Sequence, residues 1–253
     1  GNENVIEARL SDAEYFWNIN KSKNMIKQVS LLQNVNYFKG LGSYLDKVQR
    51  LKKICGFLSD EFLISKEKVE IASTLSKVDL LSELVNEFPE LQGILGGYFA
   101  EAQGFDKEIC DSIKDQYLPL GADSRIPKNN YSITLSLADK IDTLVGFFGV
   151  NITTSSSKDP YGLRRLTLGL IKIIINNKKN VKLSELINLS CQVYESQSIK
   201  FDNKVILDKL SNFILERLKY FMKDKEIRQD IIETSLININ LNNLHVIYTK
   251  AYK

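Results

Sequence analysis

At 253 residues, with 43% hydrophobic and 26% charged residues, the chain has the composition of a folded protein of one large or two small domains, not of a disordered tail or a collagen-like repeat. Lys and Arg number 34 against 31 Asp and Glu, so the net charge of +3 argues for nucleic acid only where the cations cluster. The three cysteines, Cys55, Cys110 and Cys191, form no CxxC pair, which argues against a disulfide framework and a zinc site and fits a reducing compartment.

The chain begins Gly1-Asn2-Glu3 without an initiator Met or a signal-like apolar stretch, and it stops inside a helix-like pattern, Leu241 to Lys253. It therefore reads as a segment of a longer protein. From Leu41 the residues Leu45, Val48, Leu51, Ile54 and Cys55 follow at steps of three and four, the spacing of one helical face. Lys47, Arg50, Lys52 and Lys53 flank that stripe, and its exposed side is expected to be basic. A second helix is predicted from Ser65 through Ser76, followed by a helical stretch from Asp79 to Glu87 that Pro89 stops. Gly93, Gly96 and Gly97 sit in GILGGYFA with no strand before them, which points to close helix packing and away from a phosphate-binding loop.

Pro119, Gly121 and Pro127 make Asp115 to Asn130 a loop. The next helix carries Leu137, Ile141, Leu144, Val145 and Phe148 on one face, with Gly149 as its stop. A polar, Ser-rich stretch runs from Asn151 to Asp159, and Pro160 marks an expected helix start. The most apolar run, Leu166 to Ile175, contains Thr167 and Lys172 and falls short of the roughly 20 residues of a membrane span. Composition shifts from Val181, which places a boundary near 176–182, and two further helical patterns follow, from Val181 through Ile199 and from Val205 through Met222. Sustained alternation and 20–50-residue repeats are absent, so the fold class is all-α.

Chemistry has few places to reside. His245 is the one histidine, expected to be exposed or satisfied, so a histidine metal site or a Ser-His-Asp triad is not predicted. Asp139 and Asp142 share a helix face, and Asp79 follows an apolar stretch; capping or exposed carboxylates are the plainer reading, a carboxylate cluster the other. Matches to N-x-S/T begin at Asn20, Asn130, Asn151 and Asn188, as chance supplies in an Asn-rich chain. The clearest signal is cationic. Between Lys158 and Lys182 stand Lys158, Arg164, Arg165, Lys172, Lys178, Lys179 and Lys182, against the single acid Asp159. Cations this dense at a helix start can displace counterions from phosphates, or form a solvated face.

Four stretches, GNENVIEARLSDAEYFW, KVDLLSELVNEFPELQGILGGYFA, LADKIDTLVGFFG and SKDPYGLRRLTLGLIKII, together resemble the beta subunit of the bacterial tetrameric glycyl-tRNA synthetase, in order, over most of residues 1–175. Residues 176–253 are similar in helical pattern, as in ERLKYFMKDKEIRQDIIE. The resemblance implies a cytoplasmic aminoacyl-tRNA synthetase, an alpha2beta2 tetramer that charges tRNA-Gly. It implies ATP and Mg2+ at the alpha subunit and no cofactor, DNA or membrane for this segment, which is expected to be catalytically inactive alone. It further implies a degenerate HD-domain-like helical bundle over residues 41–176, after an N-terminal segment, 1–40, that joins a preceding domain. Residues 177–253 would then lead toward an anticodon-binding domain. In this alignment Lys47 stands near the first HD histidine, Val78-Asp79 replaces the His-Asp pair, and Asp139 supplies the last Asp. A divalent ion there needs imidazole nitrogens, and Lys47 would bring a positive charge instead, with Asp79 able to pair with it. The tRNA-binding candidates are Lys158, Arg164, Arg165, Lys172, Lys178 and Lys179, recognising stem or backbone because Tyr161 is the only aromatic among them. A purely structural helical module and a metal-dependent HD phosphohydrolase are the rival readings.

Overall fold

The computed structural model describes residues 1–152, 154–155, 157–237 and 240–253. Helices dominate it, and among these residues there is no strand, only an isolated bridge between Asn36 and Ser43. The chain is all-α, as its periodicity predicts. Among the described residues no helix is long and apolar enough to cross a membrane. The chain divides into two compact units, one of residues 1–117 and 129–135, the other of residues 118–128 and 136–253. Residues 176–182, where composition shifts, lie inside the second unit.

In the first unit the helices are α1 (Asn2–Asn20), α2 (Met25–Gln28), α3 (Tyr44–Phe62), α4 (Lys66–Leu75), α5 (Glu83–Glu87), α6 (Ile94–Ala102) and α7 (Lys107–Asp115), with short 3-10 segments between some of them. Ser43 starts α3 with a capping box: its hydroxyl accepts from Asp46 N–H at 3.2 Å, and the Asp46 carboxylate accepts from Ser43 N–H at 2.8 Å. Leu41 precedes that cap, so it joins the core from the loop. The expected stripe Val48, Leu51, Ile54 and Cys55 is buried. The expected basic outer side of α3 is corrected: Lys52 and Lys53 are exposed, but Lys47 and Arg50 are 1% and 0% exposed. They lie at i and i+3 on the inward face, where Arg50 donates to the Leu41 carbonyl at 3.2 Å and Lys47 to the Tyr37 hydroxyl at 3.3 Å. The stretch from Asp79 to Glu87 is also not one helix. Ser82 breaks it into a 3-10 turn, Val78–Leu81, and α5, whose Val85 N–H bonds the Ser82 hydroxyl at 3.1 Å.

Helix α8 (Asn130–Gly149) contributes its first residues to the first unit and the rest to the second. Every residue from Ser132 to Asp142 is buried, so the one-faced apolar pattern read from the sequence understates its burial. Its polar residues therefore need partners. Within the second unit, Lys140 donates to the Leu118 carbonyl and the Ser136 hydroxyl, each at 2.7 Å, and Tyr194 donates to the Asp142 carbonyl at 3.0 Å. This unit continues with α9 (Leu163–Asn176), α10 (Leu183–Ser196), α11 (Asn203–Asp224), α12 (Gln229–Ser235) and α13 (Leu244–Tyr252). Its core joins Leu170, Ile171 and Ile174 of α9 with Leu186 and Ile187 of α10 and Leu210, Ile214 and Leu218 of α11. His245, on α13, is only half-buried, yet its Nδ1 is buried without a hydrogen-bond partner, so it is neither simply exposed nor fully satisfied.

Candidate nucleic-acid interface

The sequence SKDPYGLRR builds the start of α9. Asp159 to Gly162 is a tight turn, closed by Gly162 N–H on the Asp159 carbonyl at 3.1 Å, with Gly162 at φ +64°, a conformation that favours glycine. The Asp159 carboxylate then accepts from Leu163 N–H at 2.8 Å and Arg164 N–H at 2.9 Å, and so satisfies two of the open donors of the helix. The helix accordingly begins at Leu163, not at the expected Pro160, which lies inside the turn. Because Asp159 faces the backbone, its carboxylate takes main-chain donors, and the Arg164 guanidinium donates instead to the Ser155 carbonyl. Thr153, the third residue of the match at Asn151, lies outside the described residues.

The six cationic candidates separate along α9. Arg164, Arg165 and Lys172 border one cleft of about 380 Å³ in the second unit, whose walls include Pro119, Gly121 and Ala122 of the loop before α8 and Tyr220, Phe221 and Asp224 of α11. Arg165 is exposed, and Lys172 donates to the Ala122 carbonyl at 3.0 Å. Lys158 is exposed in the loop before the turn. Lys178 and Lys179 stand at the other end of the helix, about 20 Å away at 1.5 Å per residue. There Lys178, at φ +52°, donates its N–H to the Ile175 carbonyl at 3.1 Å, and Lys179 to that of Ile174 at 2.9 Å, which together close the last turn as a Schellman motif. Their positive charge also suits the negative end of the helix dipole.

The sequence did not point to Tyr220, Phe221 or Asp224. They come from the end of α11, remote from the basic run, and no local charge or spacing links them to it.

The HD-aligned residues have other work. In the first unit Asp79, 1% exposed, accepts through Oδ2 from Gly93 N–H at 2.6 Å and Gly96 N–H at 3.0 Å, so it caps α6. Burial raises its pKa to about 6, against the opposing pull of those two hydrogen bonds and of Lys77. Its Oδ1 is buried with no partner. A Cβ on Gly96 would stand 3.1 Å from the Asp79 carboxyl carbon, and one on Gly97 would stand 2.8 Å from the Cys110 carbonyl. The glycines of ILGGYFA thus serve close approach, as their context predicts. Lys47 meets the Tyr37 ring, 4.7 Å from its centroid, in addition to the Tyr37 hydroxyl; Val78 is buried and apolar. In the second unit Asp139 is 5% exposed on α8. Among the described residues no group of three or more His, Cys, Asp or Glu side chains is placed to hold a metal ion. A capping carboxylate and a buried lysine do not fit a divalent cation.

A family model described as glycyl-tRNA synthetase beta subunit matches residues 1–237. The glycine–tRNA ligase beta subunit of Syntrophomonas wolfei is 35% identical over 100% of this chain and 37% of its own length. That of Rickettsia canadensis is 40% identical over 96% of the chain and 34% of its own length, and that of Clostridioides difficile 34% identical over 99% and 36%. The chain spans about a third of the length of the curated relatives it matches.

Proposed function

Since the chain belongs to the glycyl-tRNA synthetase beta subunit family, we propose that it supplies a tRNA-contacting and scaffolding segment of a cytoplasmic glycine–tRNA ligase. The reading places ATP, Mg2+ and glycine chemistry on an alpha subunit of an alpha2beta2 enzyme and assigns tRNA-Gly as the RNA. In it, residues 1–40 join a preceding domain, 41–176 are an HD-like bundle without a metal, and 177–253 lead toward an anticodon-binding domain. The observation that carries it is the gathering of Arg164, Arg165 and Lys172 around one open cleft, with Lys158 nearby in the chain. Cations held this close exchange counterions for phosphates, which gives affinity that falls steeply with salt.

The test is binding of the chain to tRNA-Gly and to an unrelated tRNA as salt is varied. Reversing both charges, Arg164→Glu with Arg165→Glu, should weaken binding at least tenfold near 0.1 M salt and flatten the salt slope by about two phosphate contacts. Unchanged affinity would remove these residues from the interface. A second reading, a purely structural helical module, draws on the bonds that Arg164 and Lys172 make to the chain's own carbonyls, Ser155 and Ala122. It requires that no tRNA bind even at low salt.

A further inference from the structure

The cleft on α9 is basic on one side only. On the other stands Tyr220, 57% exposed at the last turn of α11, with the buried Phe221 behind it. We propose that this cleft receives one unpaired nucleotide of a bound RNA, its phosphate among Arg164, Arg165 and Lys172 and its base against the ring of Tyr220. The proposal rests on the RNA-contacting reading above and adds the chemical unit that is recognised.

Size, charge and polarity agree. A volume of about 380 Å³ falls among small-molecule sites, which run from about 300 to 1,000 Å³. Three cations and two carboxylates, Asp159 and Asp224, border it, and Asp159 has both oxygens on backbone N–H groups. The excess of a single positive charge matches the single negative charge of a phosphodiester. The cleft meets α9 at its positive, N-terminal half and α11 at its negative, C-terminal end, where Asp224 adds an anion. The phosphate is thereby directed to the α9 side and repelled from the α11 side, which leaves Tyr220 for the uncharged base.

Leu168, Pro119 and Phe221 give the lining an apolar part, and Gly169 lets α9 pack closely on Pro119: a Cβ there would crowd Pro119 Cδ and Lys140 Cε at 3.2 Å each. The Arg217 guanidinium lies 5.8 Å from the Tyr220 ring centroid and helps to hold that ring. A base stacked within a duplex cannot turn its face to Tyr220, so the nucleotide must be unpaired. A free nucleotide carries the same phosphate and base, and the experiment separates the two sources.

Fluorescence anisotropy on the 253-residue chain would compare a labelled single-stranded RNA hexamer, a blunt RNA duplex and tRNA, with adenosine 5′-monophosphate as competitor. Tyr220→Ala should weaken hexamer binding about tenfold, within the range of one base–aromatic stack, and leave duplex binding unchanged. Tyr220→Phe should bind as the parent does. Tyr220 is more than half exposed, so its truncation leaves the core intact, and an unchanged far-UV circular dichroism spectrum checks this. Equal hexamer affinity in Tyr220→Ala, or an equal loss for hexamer and duplex, overturns the proposal. Displacement of the hexamer by the monophosphate at concentrations below the hexamer Kd overturns the RNA source in favour of a free nucleotide. Should tRNA binding respond to Arg164 and Arg165 but not to Tyr220, the RNA-contacting reading stands and only this inference falls. Failure of every RNA to bind at low salt removes both.

Discussion

Ionisable residues in helical patterns that look alike on paper fare in opposite ways at Lys47, Arg50, Lys77 and Asp79 of the first unit and at the α9 cations of the second, whose Lys140 is itself buried. In the first unit Lys47, Arg50, Lys77 and Asp79 are all 1% exposed or less, and apart from the unpartnered Asp79 Oδ1 their polar groups meet the protein itself. Lys77 donates to Gln116 Oε1 at 2.8 Å and to the Tyr117 hydroxyl at 2.7 Å, Arg50 holds a loop carbonyl, and Asp79 caps a helix. In the second unit Arg165 and Lys158 face solvent, and the cations of α9 border an open cleft. A buried charge must be satisfied internally and is therefore structural, whereas an exposed one keeps its field for a ligand. The comparison shows why a density of Lys and Arg along the chain does not by itself mark an interface.

The contrast is broken most forcefully at Arg50. Arg50→Ala should destabilise the protein by about 4 kcal/mol, since it opens a large cavity and leaves the Leu41 carbonyl without its donor. Urea unfolding measures this, and a loss below about 1 kcal/mol would place Arg50 with the surface cations. Arg165→Ala, as the control, should change stability by under about 0.5 kcal/mol.

Asp79 tests the buried side of this contrast through pH. Its folded pKa of about 6 lies above the ordinary 3.8, so the folded state holds the extra proton between those values and stability falls as pH rises through that window. The fall is on the order of 3 kcal/mol, at about 1.4 kcal/mol per unit. Asp79→Asn keeps an acceptor for Gly93 and Gly96 and should flatten the stability profile between pH 4 and 6. A slope unchanged in this variant would show that another group titrates. A smaller effect is expected at Gly97, where Gly97→Ala should cost about 2 kcal/mol by pressing a methyl against the Cys110 carbonyl and the Lys114 side chain, read again by urea unfolding.

Much of this was legible in the residues. The α4 span came from its Ser65 start and its apolar spacing, and α8 from its Leu/Ile/Val periodicity, because both patterns are local and repeat with the helical turn. The cationic half of the cleft was legible for the same reason: Arg164, Arg165 and Lys172 share one helix. Helix α9 starts at Leu163 and not at Pro160 because the Asp159 carboxylate, not proline, ends the turn and opens the helix. The basic face expected on α3 failed because Lys47 and Arg50 look no different from Lys52 and Lys53 until a Tyr37 ring and a Leu41 carbonyl arrive from the preceding loop.

The all-α class, most of the helices, the packing role of the ILGGYFA glycines and the family resemblance are readable from the residues, since each rests on spacing and residue type within a short span. Which charges are buried, which carboxylate caps which helix, and that Tyr220 lines one cleft with Arg164 and Arg165 are settled by packing. Those outcomes depend on groups far apart in the chain that desolvate or solvate one another, and no local pattern encodes the dielectric in which a charge will sit.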